Sequence, residues 1–150
     1  MMHIRTLQQQ DLDELLALYR HLHVNDLPLP ERSAVLAIWE EALQNPRCRY
    51  FGGYEQDALV SSCTIMVIPN LTRGCRPYGL IENVVTHPDH RGKGWGKLIL
   101  KQALEHAWSQ GCYKVMLFTG RKDESTLRFY DGAGFDRHGK TGFVAKPSEV

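Results

Sequence analysis

The run Asn83 to Lys97, NVVTHPDHRGKGWGK, holds the residue types that bind an anion. Within it Gly92, Gly94 and Gly96 alternate with Arg91, Lys93, Trp95 and Lys97. Glycines let a backbone take positive φ and approach a ligand closely. Where such a run opens a helix, the N–H groups of the first turn lack internal partners and sit at its positive end. That terminus can hold a phosphate or pyrophosphate, and Arg91, Lys93, Lys97 and Lys101 add formal charge beside it. Two familiar phosphate loops do not fit. A Walker loop needs glycine five positions before Gly96 and Ser or Thr after Lys97, but the chain has Arg91 and Leu98. A dinucleotide fingerprint fits Gly92 and Gly94 but finds Lys97 at its third glycine.

The local charge matters because the chain as a whole has almost none. Eighteen Lys+Arg against seventeen Asp+Glu leave a net charge of +1, which gives no reason to expect nucleic acid or a membrane surface as partner. The opening MMHIRTLQQQDLDE has no apolar core of a signal peptide, and Cys48, Cys63, Cys75 and Cys112 show no CxxC spacing. These features lead us to expect thiols in a reducing, cytoplasmic setting and no metal site; His87 and His90, three apart around a proline, lack further ligands at suitable spacing. The 150 residues are the length of one domain, and we expect a single domain over 1–150. A chain this long buries roughly 70% of its unfolded surface without staples.

The elements that must position the loop follow from periodicity. His3–Leu7 reads as a short strand. Asp11–His21 carries Leu12, Leu15, Leu16 and Tyr19 at helical spacing, and Ser33–Leu43 carries Val35, Leu36, Trp39 and Leu43. Between them lies NDLPLP, a breaker. Strands follow at Arg49–Tyr54, Ala58–Ile68 and Tyr78–Thr86. A long helix spans Gly94–Gln110, with Leu98, Leu100, Ala103, Leu104, Ala107 and Trp108 as its buried face and Gly111 as its cap. Lys114–Thr119 reads as a strand, Asp123–Asp131 as a short helix and Thr141–Lys146 as a last strand. The order is βααβββαβαβ, a mixed α/β domain.

Two segments together resemble a known family. Arg91-Gly92-Lys93-Gly94-Trp95-Gly96 resembles the Arg/Gln-x-x-Gly-x-Gly/Ala signature of the GCN5-related N-acetyltransferases (GNAT), preceded by Val84-Val85-Thr86-His87-Pro88 as that family's fourth strand. Leu127-Arg128-Phe129-Tyr130-Asp131-Gly132-Ala133-Gly134-Phe135 is similar to its FYxxxGF segment. The resemblance is strong over Tyr78–Phe135 and rests only on element order before that. Gly79-Leu80-Ile81-Glu82-Asn83 and Gly111-Cys112-Tyr113-Lys114-Val115 look, in patches, like glucosamine 6-phosphate N-acetyltransferases.

The resemblance implies the GNAT fold, a single mixed, mostly antiparallel sheet with helices on both faces. It implies acetyl-CoA as donor, with CoA as product. The pyrophosphate is expected on backbone N–H groups from Arg91 to Lys97. The pantetheine arm is expected along Val84, Val85 and Thr86, where that strand and Lys114–Thr119 splay apart, like an added β-strand. Asp123, Thr126 and Phe129 complete the implied cofactor set, although the wider family often has Asn where this chain has Asp123. The implied reaction is direct attack of a primary amine of a small molecule on the thioester. Tyr130 matches the tyrosine that usually protonates the leaving thiolate. Glu82, a carboxylate in the apolar strand LIENVV, is the candidate base or amine-binding group, and burial there could raise its pKa. Glucosamine-phosphate enzymes carry Glu-Asp where this chain has Glu82-Asn83, and an amide cannot act as a base. For the acceptor, the linker after the first helix (Tyr19, His23, Asn25, Asp26) and the run before the central strand (Arg73, Arg76, Tyr78) line the pocket in this fold, with Asn83 beside them. Related folds are often dimers, so a homodimer is a suggested assembly. A CoA-binding sensor without catalysis and a peptide N-acetyltransferase are the competing readings.

Overall fold

Residues 2–148 are described by the computed structural model, and they divide into two compact units that meet in sequence between Leu117 and Phe118. The first unit is built on one five-stranded sheet in the order β1 (Met2–Thr6), β2 (Cys48–Glu55), β3 (Ala58–Ile68), β4 (Tyr78–Thr86), β5 (Val115–Leu117). Neighbours are antiparallel except the last pair, where β5 runs parallel to β4. A parallel partner needs a crossover, and α3 (Trp95–Ser109) supplies it. Before the β2–β3 hairpin come α1 (Leu12–Tyr19) and α2 (Arg32–Gln44).

Alternation along β2 shows how the sheet serves two layers. A Cβ on Gly53 would lie 2.6 Å from the Trp95 ring of α3, whereas one on Gly52 would meet Leu7 and Leu59 on the opposite face. On the α1 and α2 side, Leu7, Leu12, Leu15, Leu18, Trp39, Tyr54, Leu59 and Val85 form one buried cluster. On the α3 side, Cys63, Ile65, Ile81, Ile99, Leu100 and Ala103 are at most 1% exposed. Helices therefore cover both faces, as expected.

Three expectations need correction. The buried stripe of α3 is Trp95, Ile99, Leu100, Ala103 and Ala107, while Leu98 and Trp108 are 41% and 51% exposed. Trp95 sets this phase: its indole packs under β2, so positions four and eight residues later turn inward with it. β5 keeps only Val115–Leu117 of the expected Lys114–Thr119, the length over which β4 pairs with it. The closing strand at Thr141–Lys146 does not form; residues 141–148 lack regular structure, and Phe143 is 92% exposed. A strand needs a ladder to satisfy its backbone, and no described strand pairs with this segment.

The second unit contains α4 (Glu124–Gly132). Asp123 caps it, accepting from Thr126 N at 3.1 Å. Arg137 ties the following turn back, with Nε 2.7 Å from Asp131 and both terminal nitrogens 3.1 Å from Glu124. These pairs hold the Glu124 and Asp131 carboxyls below, and the Arg137 guanidinium above, their ordinary values.

Candidate active site

β4 changes character at Glu82. Up to Ile81 it pairs with β5, ending at Ile81↔Leu117. Beyond that residue the described strands give it no partner on this side, so the edge from Glu82 to Thr86 keeps unpaired backbone groups there. On its other side the ladder to β3 is interrupted. Thr64 pairs with Glu82 and Ser62 with Val85, so two residues of β4 oppose Cys63 alone. Asn83 takes φ +54° at this bulge, a left-handed conformation that Asn tolerates better than most residues. The strand end is anchored by His87 N donating to Val60 O at 2.7 Å and by Ser61 Oγ, 3.1 Å from Val85 O.

The loop that follows delivers the chain to α3. Gly94 is the residue before the helix, at φ +89°, and Leu98 N donates to its carbonyl at 3.1 Å. The N–H groups of residues 95–97 are thus those without a partner inside the helix. Gly92 is also left-handed, at φ +77°, and an added Cβ at either glycine would meet nothing within 4 Å. Open space beside the helix terminus is what close approach of an anion requires. The Trp95 side chain does not take part; it is 1% exposed and belongs to the core. Arg91 is exposed and reaches back, its Nε donating to Thr86 O at 3.2 Å. Lys101 lies 3.9 Å from Glu105 on the same helix.

One residue at this loop gave no sequence signal. Glu55, at the end of β2, accepts from Trp95 Nε1 at 3.2 Å, lies 2.9 Å from His90 Nδ1 and 3.6 Å from Lys93 Nζ. These partners lower its pKa, the Trp95 bond first. His90 stands at the end of a row of rings, 5.7 Å from His87, which is 4.5 Å from His21 in the turn after α1.

Glu82 is exposed, contrary to the burial expected from its apolar neighbours. The bulge next to it and the end of β5 at Leu117 remove the flanking cover that a central strand would give. It shares the α1 face of the sheet with its partner Thr64, whose hydroxyl, like that of Tyr19, is buried without a hydrogen bond among the described residues. Burial raises the Tyr19 phenol's pKa.

Of the acceptor candidates, Arg73 and Tyr78 are brought together through Tyr113 and Lys114. The Arg73 guanidinium lies 5.8 Å from the Tyr113 ring centre, and Lys114 Nζ is 5.5 Å from Tyr78 and 5.3 Å from Tyr113. Arg76 is structural, donating to Gly111 O at 3.1 Å and Cys112 O at 3.0 Å. Asn25 lies in the exposed linker between α1 and α2. In the second unit, both Asp123 oxygens are occupied, Oδ1 by Arg121 Nε at 3.1 Å and Oδ2 by Ser125, Thr126 N and Thr126 Oγ1. The Ser125 bond leads in holding that carboxyl below the ordinary range. Thr126 is therefore committed to the cap. The Tyr130 ring stands edge-on to Phe129 at 5.0 Å and to Phe135 at 6.4 Å.

Comparison with known proteins gives this geometry a context. The family model of the acetyltransferase (GNAT) family matches residues 12–135. A glucosamine 6-phosphate N-acetyltransferase of Trypanosoma brucei brucei is 42% identical over 80 residues, 53% of this chain and 52% of that protein. One of Schizosaccharomyces pombe is 33% identical over 85 residues, 57% of this chain and 74% of that protein. The matched stretch thus spans about half the length of the Trypanosoma relative. Among solved structures, a chain from Agrobacterium tumefaciens str. C58 superposes with a TM-score of 0.90 at 39% identity, covering 97% of this chain and 99% of that one. A Trypanosoma brucei acetyltransferase gives 0.80 at 31% identity, with 97% and 100% covered.

Proposed function

The chain belongs to the acetyltransferase (GNAT) family, and from that premise we propose that it transfers an acetyl group from acetyl-CoA to the primary amine of a small molecule. One observation carries the reading: a strand whose edge from Glu82 to Thr86 has no partner strand leads directly into a glycine loop and a helix terminus with open space beside it. An extended pantetheine arm suits the first, and a pyrophosphate suits the second. Backbone groups of Val84–Thr86 and the N–H groups of residues 95–97 hold the donor, with Lys93 and Lys97 adding charge.

Bound acetyl-CoA supplies an acyl carbon activated as a thioester. The bond formed is N–C and the bond broken is C–S, so the chain must take one proton from the ammonium and give one to the departing thiolate. Glu82 takes the first or holds the ammonium while water removes it; its exposure leaves it open to an incoming amine. Tyr130, matched to the family's FYxxxGF segment, gives the second. A phenol of pKa about 10 facing a thiol of about 8.5 needs only a modest bias to do so.

The relatives named glucosamine 6-phosphate N-acetyltransferase make amino-sugar phosphates the first acceptors to try. The test is acetyl-CoA with a panel of amines, following release of the CoA thiol. Turnover with a small amine supports the proposal. Binding of CoA without turnover on any amine, peptides included, would mark a sensor, and turnover on peptides alone a peptide acetyltransferase. With an active acceptor, Tyr130→Phe is expected to lower kcat about 100-fold, a usual worth for a general acid, and to leave KM for acetyl-CoA within about twofold. An unchanged kcat would remove Tyr130 from the mechanism.

A further inference from the structure

We propose that Glu55 is a positioning residue that pre-forms the glycine loop for the anion. This inference rests on the reading that the loop takes the pyrophosphate of CoA. The loop has a specific problem. Two of its residues, Gly92 and Gly94, are left-handed glycines with nothing packed against them, so its backbone gains little order from its own contacts. Glycine has more conformational freedom to lose than any other residue. A loop that orders only on binding loses affinity to that cost.

Glu55 meets the problem from outside the loop. Its strand is fixed on both sides, paired to Met2 on β1 and to Ala58 on β3. From that rigid base one carboxylate reaches three loop residues: His90 before the glycines at 2.9 Å, Lys93 between them at 3.6 Å, and Trp95, the first residue of α3, at 3.2 Å. The three partners bracket both glycines, so their ends are held while the N–H groups between them stay free. Hydrogen bonds to a carboxylate are stronger than neutral ones, which suits a brace that is only partly covered. A carboxylate beside an anion site has an electrostatic cost, since it draws on Lys93 and repels the ligand. The geometry points to ordering as the larger effect, and the two effects have opposite signs in the experiment.

The test uses the full chain and CoA itself. Glu55→Ala removes all three contacts; Glu55→Gln keeps an acceptor for the Trp95 indole and loses the charge. Calorimetric titration should show CoA binding about tenfold weaker in Glu55→Ala and about threefold weaker in Glu55→Gln. With an active acceptor, KM for acetyl-CoA rises in the same order while kcat and the acceptor KM stay within about twofold. The chain has three tryptophans, so the indole N–H resonances provide a second readout. The Trp95 resonance should move in Glu55→Ala, while Trp39, whose indole donates to Gln9 O at 3.1 Å, and Trp108 should not. If Glu55→Ala fails to fold, the Glu55→Gln titration decides alone. Unchanged or tighter CoA binding in the folded variants would overturn the brace, the latter by showing that repulsion wins. A wild-type chain that binds no CoA would instead overturn the proposed function, and this inference with it.

Discussion

At the scale of single residues, the clearest consequence of the structure concerns Asp11. It is 3% exposed and receives both terminal nitrogens of Arg5, at 2.7 and 2.9 Å, together with Gln8 N at 2.7 Å. Arg5 also donates to Tyr54 at 3.0 Å, which links β1, the start of α1 and β2. The Arg5 bonds hold the Asp11 carboxyl below its ordinary 3.8. A lowered folded-state pKa means that the stabilisation is fully present above the unfolded value and fades as pH falls below about 4. Asp11→Asn should therefore cost about 2–3 kcal/mol in urea denaturation at pH 7, and the difference from wild type should shrink toward pH 3. Legibility at this scale was uneven. The glycine loop was readable because glycines and cations in alternation are unusual in an ordinary turn. Glu55 and Arg5–Asp11 were not: the partners of Glu55 lie on another element far along the chain, Arg5 and Asp11 sit on different elements, and each charge looks like ordinary surface charge. Glu82 was identified as a lone carboxylate, but its exposure depends on where β5 stops, which no pattern within β4 records.

At the scale of elements, the loop-to-helix junction is the most demanding piece. Gly94 sits at φ +89° with no neighbour to obstruct a side chain, so a substitution there tests the backbone alone. Gly94→Ala should destabilise the chain by about 1–2 kcal/mol and weaken CoA binding as the terminus shifts; denaturation and calorimetric titration read the two effects separately. Helix and strand positions were legible to within a few residues, because periods of 3.6 and 2 differ clearly in segments such as ALVSSCTIMVI and RSAVLAIWEEALQ. The phase of α3 was not. Its apolar residues are numerous enough to draw two stripes, and the choice was made by Trp95 packing under Gly53, a contact between distant parts of the sequence. Thr141–Lys146 has a strand's composition, but pairing depends on a partner, and the described sheet offers none.

At the scale of the whole molecule, the two-layered core of the first unit governs which thiols can react. Cys48, Cys63 and Cys112 are buried and Cys75 is exposed. Burial pushes the Cys63 thiol up to about 12, where little thiolate forms at neutral pH. An aromatic disulfide reagent should therefore titrate one thiol per native chain quickly and the other three only on unfolding; two fast thiols would contradict the packing. The same core depends on the bulge in β4 in a way that a hydrogen-bond diagram conceals. The extra residue at Asn83 reverses the parity of the strand. Ile81 faces α3 and Val85 faces α1, although they are four positions apart and would share a face in a regular strand. A one-residue deletion at Asn83 would mend the ladder and keep Val85 opposite Ser62 on its own layer, because Val85 would then stand three positions from Ile81. In this strand length is counted modulo two from the bulge, so in evolution a single-codon deletion at Asn83 trims the strand, whereas one outside the bulge in Tyr78–Thr86 is a change of sidedness.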